Sequence, residues 1–284
     1  MPSLREIEKT LCTLWMNKEA RDWLRSDSAK KKLPKVLSDV DPRLLEEVDR
    51  AGAIVYAGSI NYEHHKMADR IFPYCAKILK DDWDDLVDAY YKRYPSSHFN
   101  FSKICNQFSR FLLEDCPQLL AKYPYLAELA DYEWLELEKI EHEAKIVKED
   151  SPPIDSLEKI IAYYPVLNPT LTLRYYRYPI AEIAEKLQNQ KRPRKKYAES
   201  ECIMAIYRDP KTHNARFMEI GNAVAALIAG AEKADCSYQD LLKITISKIP
   251  GLAPEEAVLK FLELVEELHQ DNIFIASRQN KISH

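Results

Sequence analysis

Five glycines in 284 residues set the first limit on what this chain can become. Gly52, Gly58, Gly221, Gly230 and Gly251 stand too far apart to build a GxGxxG turn, a phosphate-cradling loop or a GxSxG nucleophile elbow. Such turns need glycine because the backbone must take left-handed φ or approach a ligand more closely than a Cβ permits. Nucleotide-binding and α/β-hydrolase architectures lose their basis. Scarce glycine beside abundant Leu, Glu, Lys and Ala predicts a mainly α chain.

From Leu4 to about His142, apolar residues recur at helical spacing in segments separated by proline and polar turns, predicting a helical bundle over 1–150. In SINYEHHKMADRIFPYCAKILK, Met67, Ile71, Tyr74 and Leu79 keep near one face. Asp81 and Asp82 read as a cap before Trp83, and Pro95 ends that helix. Further on, Leu126, Leu129, Ala130, Trp134, Leu137 and Ile140 form the stripe expected to be buried. Residues 151–196 read as a connecting segment, proline-rich with one or two short extended pieces, ending in the basic run KLQNQKRPRKK. The domain boundary is placed there. From 197 to 284 the pattern gives a strand (Cys202–Arg208), a turn, a strand (215–219), helices over 222–232, Tyr238–Lys248 and Pro254–Gln270, and a last strand over 272–276. Ser237 suits the cap of the second of these helices. This order is that of a winged-helix-like α+β domain with a small antiparallel sheet.

The 46% apolar content suits a soluble globular protein, no apolar run approaches bilayer length, and the N-terminal residues are charged where a signal peptide is apolar. A cytoplasmic location is expected. Six cysteines without a CxxC pair read as free thiols. His64 and His65 beside Glu63 and Asp69, and Glu138 one turn before His142, have spacings that can share a metal. A complete site needs ligands converging from other helices as well, so they read as solvated, salt-bridging faces. His213, His269 and His284 stand at a turn or near ends, and no Ser/His/Asp or Cys/His constellation emerges. Neither catalysis nor a cofactor is expected of this chain.

Winged-helix units bind DNA or extended peptides. The third helix, PEEAVLKFLELVEELHQ, would bring Glu255, Glu256, Glu263, Glu266 and Glu267 to a polyanion against Lys260 alone. Only the basic run, with Lys191, Arg192, Arg194, Lys195 and Lys196, favours nucleic acid, which stays as the alternative partner. For a peptide, Ile203, Ala205 and Tyr207 of the first strand are the expected docking edge, with Val258, Leu262 and Val265 of the third helix lining the groove. The competing possibility is that both faces of that strand are core and its edge is covered.

Three stretches resemble one family. VYAGSINYEHHKMADRIFPYCAKILKDDWDDLVDAYYKRYPSSHFNF with FSRFLL is similar to its N-terminal domain, catalogued as DNA-binding. PYLAELADYEWLELE leading to LNPTLTLRYYRYPIAEI is similar to its middle segments, and IYRDPKTHNARFMEIGNAVAALI with LVEELHQDNIFI to its C-terminal winged-helix-like domain. The family includes the HvfC-, BufC- and MbnC-like partner proteins of multinuclear iron-dependent oxidases, which modify ribosomally made precursor peptides. The resemblance implies a non-catalytic subunit that binds the oxidase, in which the iron resides, and helps present the precursor's leader. Tyr56, Phe72, Pro73 and Trp134 carry over as structural positions. Family members commonly have Arg-Asn-Asn after the tyrosine; here Ala57, Gly58 and Ser59 follow Tyr56, so a partner contact at that point differs.

Overall fold

The computed structural model describes residues 3–26, 32–94, 102–146, 151–189, 192–233, 236–248 and 253–279; Pro95, Lys191, Gly251 and His284 lie outside them. The chain is mainly α and divides into two compact units, Met1–Trp134 with Ala184–Lys196 and Leu135–Ile183 with Tyr197–His284. Its helices are α1 (Leu4–Met16), α2 (Lys18–Arg25), α3 (Pro42–Glu47), α4 (Arg50–Ile71), α5 (Pro73–Leu79), α6 (Trp83–Arg93), α7 (Phe108–Asp115), α8 (Pro117–Lys122), α9 (Leu126–Ile140), α10 (Leu157–Ile160), α11 (Ile180–Gln188), α12 (Asn222–Ala231), α13 (Tyr238–Lys248) and α14 (Pro254–Gln270). The strands are β1 (Tyr164–Leu167), β2 (Thr172–Tyr176), β3 (Cys202–Arg208), β4 (Ala215–Ile220) and β5 (Phe274–Arg278).

In the first unit, α4 stops at Phe72 because the residue before a proline is driven out of the helical region, here to φ −119° and ψ 50°. Pro73 then opens α5, and the fully buried Phe72 ring stacks on Phe108 at 4.5 Å. Phe72 offers no side-chain cap, so the first amides of α5 find a partner elsewhere: the buried Glu133 carboxylate of α9 accepts from the Tyr74 and Cys75 backbone N–H groups. Turning Glu133 inward also rotates α9 relative to the expected stripe. Leu126, Leu129 and Ala130 are buried as expected, whereas Trp134 and Leu137 are half-buried and Ile140 is exposed; Leu135 and Lys139 take the inward positions. Asp81 and Asp82 lie in a 3-10 turn and Asp82 makes no side-chain cap bond to α6. Trp83 is instead fixed by its indole donating to Asp69 at 2.6 Å.

The second unit is built on β3. It pairs antiparallel with β4 on one side, Ile203 opposite Ile220 and Tyr207 opposite Arg216, and with β2 on the other, Leu173 opposite Ala205 and Tyr175 opposite Ile203. β1 and β5 form a separate two-stranded antiparallel sheet. Residues 151–183, read from the sequence as a connection, thus supply two of the five strands found among the described residues. Asp209 organises the β3–β4 turn, its carboxylate accepting from the Lys211 and Thr212 N–H groups at 2.9 and 2.8 Å while His213 takes φ 59°. Ser237 caps α13 as expected, its hydroxyl accepting from Asp240 N–H at 3.4 Å while the Asp240 carboxylate accepts from Ser237. Leu227, Ile228, Leu241, Phe261, Leu264 and Val265 from the three following helices close over Ala205 and Tyr207 to form the core.

Candidate peptide-docking surface

The expected docking edge needs correction, because β3 has no free edge. Residues 172–176 occupy the side that local pattern left open, and both faces of the strand are filled. Ala205 and Tyr207 are fully buried against the helices, and burial pushes the Tyr207 phenol up to about 12; Met204 and Ile206 are buried on the opposite face. Val265 is also core, and Val258 and Leu262 are half-buried on α14. The competing possibility, that both faces of the strand are core and its edge is covered, holds from Met204 to Tyr207.

Ile203 differs. With Tyr175, Tyr176, Arg177, Glu201, Cys202 and Asn222 it lines a pocket of about 320 Å³ where β2 ends, β3 begins and α12 starts. Tyr175 stands directly across from Ile203 and is 68% exposed. Side chains on either side of this mouth are held: Arg177 pairs with Glu199 at 2.5 Å, and the Cys202 thiol donates to the Tyr178 carbonyl at 3.4 Å. In the three-stranded sheet ordered β2-β3-β4, β2 is an outer strand among the described residues, and its end lies at this pocket.

Arg192, Arg194, Lys195 and Lys196 are exposed, but their backbone is not a loose tether. The hydroxyl of fully buried Tyr125 donates to the Arg194 carbonyl, and Lys77 donates to that of Leu187, both at 2.5 Å. Lys191 lies outside the described residues. On α14 the five glutamates named above are exposed, and Lys260 is paired with Glu263 at 3.0 Å. That face repels phosphates.

The histidine clusters resolve into structure. His64, expected on a solvated face, is buried and stacked on Tyr91 at 4.0 Å; burial, with Arg21 and His65 adding positive charge, lowers it to about 4. His65 bridges Asp88 at 3.1 Å and Asp84 at 3.4 Å, and Lys18 and Arg21 also reach Asp88, tying α2, α4 and α6 together. Glu138 and His142 approach to 3.9 Å. Among the described residues no three His, Cys, Asp or Glu side chains gather in a way that could hold a metal ion. Ser277 and His269 meet at 3.3 Å around the buried Tyr238 hydroxyl, a staple between β5, α14 and α13 in which the serine is buried rather than offered to a substrate. Cys75, Cys105, Cys202 and Cys236 are buried free thiols, whereas Cys12 is exposed. Among the described residues no helix is long and apolar enough to cross a membrane.

Of the carried-over positions, Phe72 is core, Pro73 opens α5, Trp134 is half-buried and Tyr56 is exposed on α4. Ala57, which follows Tyr56, is only 1% exposed. Sequence reading missed Asn168. Its buried side chain donates from Nδ2 to the Arg208 and Asn272 carbonyls, both at 3.1 Å, and accepts at Oδ1 from Thr170 N–H at 3.0 Å and Oγ1 at 2.7 Å. One amide thereby fixes the ends of β1, β3 and α14, and its signal was the Asn-Pro-Thr inside a Thr/Leu-rich run. Residues 168–269 match the family model of the HvfC C-terminal domain. The match starts at this asparagine and takes in the three-stranded sheet, the pocket and α12 to α14. No curated protein matches the chain.

Proposed function

We propose that this chain is a non-catalytic partner subunit that binds a multinuclear iron-dependent oxidase and presents a ribosomally made precursor peptide to it. The observation that carries this reading is the match of residues 168–269 to the HvfC C-terminal domain, on a sheet whose outer strand β2 borders a pocket. The resemblance of the N-terminal stretches supports it. The peptide adds along β2 as a further strand, its backbone meeting the outer side of that strand while one side chain enters the pocket beside Tyr175 and Ile203. The oxidase holds the iron and performs the chemistry.

Affinity capture of the tagged chain from its own host, with proteins identified by mass spectrometry and nucleic acid quantified in the same eluate, tests the reading. A stoichiometric iron oxidase is expected, with a small peptide. Recovery of salt-sensitive nucleic acid and no such enzyme would overturn it. Tyr175→Asp, at an exposed position, is expected to cut peptide recovery at least tenfold while leaving oxidase recovery unchanged; equal peptide recovery would remove β2 as the docking edge.

A further inference from the structure

The first unit carries a second concavity, outside the span matched by the family model. α1, α3 and the start of α4 enclose a groove of about 380 Å³. Its floor and walls are apolar: Ile7, Leu11 and Trp15 from α1, Leu44 and Val48 at α3, and Tyr56 from α4. The α1 stripe runs on past the groove to Leu4, which is 71% exposed, and beside Tyr56 stands Val55, 70% exposed. Tyr56, itself 53% exposed, rests on Trp15 with ring centroids 4.4 Å apart, and the Trp15 indole N–H has no acceptor among the described residues.

Charge at this groove has one sign. Glu47 and Asp49 are the charged side chains that line it, both exposed. Asp49 accepts from the Ala51 N–H at 3.1 Å as the cap of α4, and among the described residues neither Asp49 nor Glu47 is in an ion pair. The two nearest cations in sequence give their hydrogen bonds elsewhere, although Arg43 also feels the Glu47 charge. Arg43 pairs with Asp41 at 2.9 Å, and Arg50 donates to the Trp23, Leu24 and Ser26 carbonyls over the Trp23 ring.

We propose that this groove takes an amphipathic helical segment of a partner protein, with two aliphatic or aromatic anchors one turn apart and a Lys or Arg meeting Glu47 and Asp49. The apolar trough buries the anchors, as grooves between helices do for amphipathic helices. The acidic rim supplies the specificity, since an acidic or neutral helix would leave Glu47 and Asp49 uncompensated beside a desolvated surface. This site does not depend on the oxidase reading, and it takes a protein helix whatever that partner's chemistry.

Selection of a displayed helical-peptide library against the full chain, with counter-selection on Tyr56→Asp, tests it. Enriched sequences are expected to pair two apolar anchors at i, i+3 or i+4 with a basic residue in the adjacent turn. Synthetic versions should bind the wild-type chain at least tenfold more tightly than Glu47→Lys or Tyr56→Asp, and less tightly as salt is raised. Glu47 and Tyr56 are exposed, so both variants should keep the wild-type circular dichroism; Glu47→Lys should also keep the melting curve, and Tyr56→Asp should lower it only by the loss of the Trp15 contact. Enrichment of acidic or uncharged helices, affinity indifferent to Glu47→Lys, or no helix enriched over the counter-selection would each overturn the proposal.

Discussion

Asn168 ties together three segments of the second unit that lie far apart in sequence. Its Nδ2 faces two carbonyl oxygens, so Asn168→Asp would set a carboxylate oxygen against both of them inside the core. A loss of roughly 3 kcal/mol or more is expected from urea unfolding, since a buried group left unsatisfied costs about 1–3 kcal/mol and a charged one more. A loss below about 1 kcal/mol would show that the knot is incidental. Asp88 offers a pH-resolved counterpart. Burial alone would raise it, but hydrogen bonds from His65 and Lys18 and the charge of Arg21 hold it down at about 2, below the ordinary 3.8. Its contribution, about 2 kcal/mol, is present above 3.8 and lost as pH falls through about 2. The Asp88 hydrogen bond raises His65 above the ordinary 6.5, so that part is full below 6.5 and is lost as pH rises through the raised value. The stability gap between wild type and Asp88→Asn should therefore be widest between 3.8 and 6.5 and narrow on both sides. A pH-independent gap would mean that the cluster acts by packing alone.

At the level of elements, ends proved more informative than interiors. α14 closes with a Schellman motif: Ile273 N–H donates to the Leu268 carbonyl at 2.9 Å and Asn272 N–H to that of His269 at 3.1 Å, with Asn272 at φ 59°. Leu268 and Ile273 both join the core, which fixes where β5 departs. Replacing Asn272 by Ala or by Gly removes the same side-chain contacts, and only Ala then pays the left-handed strain. Gly is expected to be the more stable of the two by about 1 kcal/mol in thermal unfolding, and equal stabilities would refute the strain argument. The limits of β3, α13 and α14 were legible from the sequence to the residue, because caps, turn formers and periodicity agreed locally. The α9 stripe was misread for a reason of another kind: Glu133 looks like one more solvated acid until α5 is seen to need a cap.

For the whole molecule, the boundary drawn at the basic run divides strands that pair. β2 and β1 lie before it, while their partners β3 and β5 lie after. A fragment of residues 197–284 is expected to show no cooperative urea transition, whereas one of residues 135–284, which restores β1 and β2, should unfold cooperatively. A cooperative transition in the shorter fragment would contradict the central role given to β2. By itself, the sequence determined the mainly α character, the absence of a glycine-rich phosphate loop, the order of strands and helices after residue 197, and the acidity of α14. Those properties follow from composition and from neighbours a few residues apart. Only the tertiary structure decided that β3 is central, that the pocket lies between Tyr175 and Ile203, and that Asn168 and Glu133 act as buried ties. A period of two says which side chains share a face, but not how many strands lie alongside. Nor can it say which distant backbone will fill a carboxylate or an amide, because those partners are brought near only when the chain closes on itself.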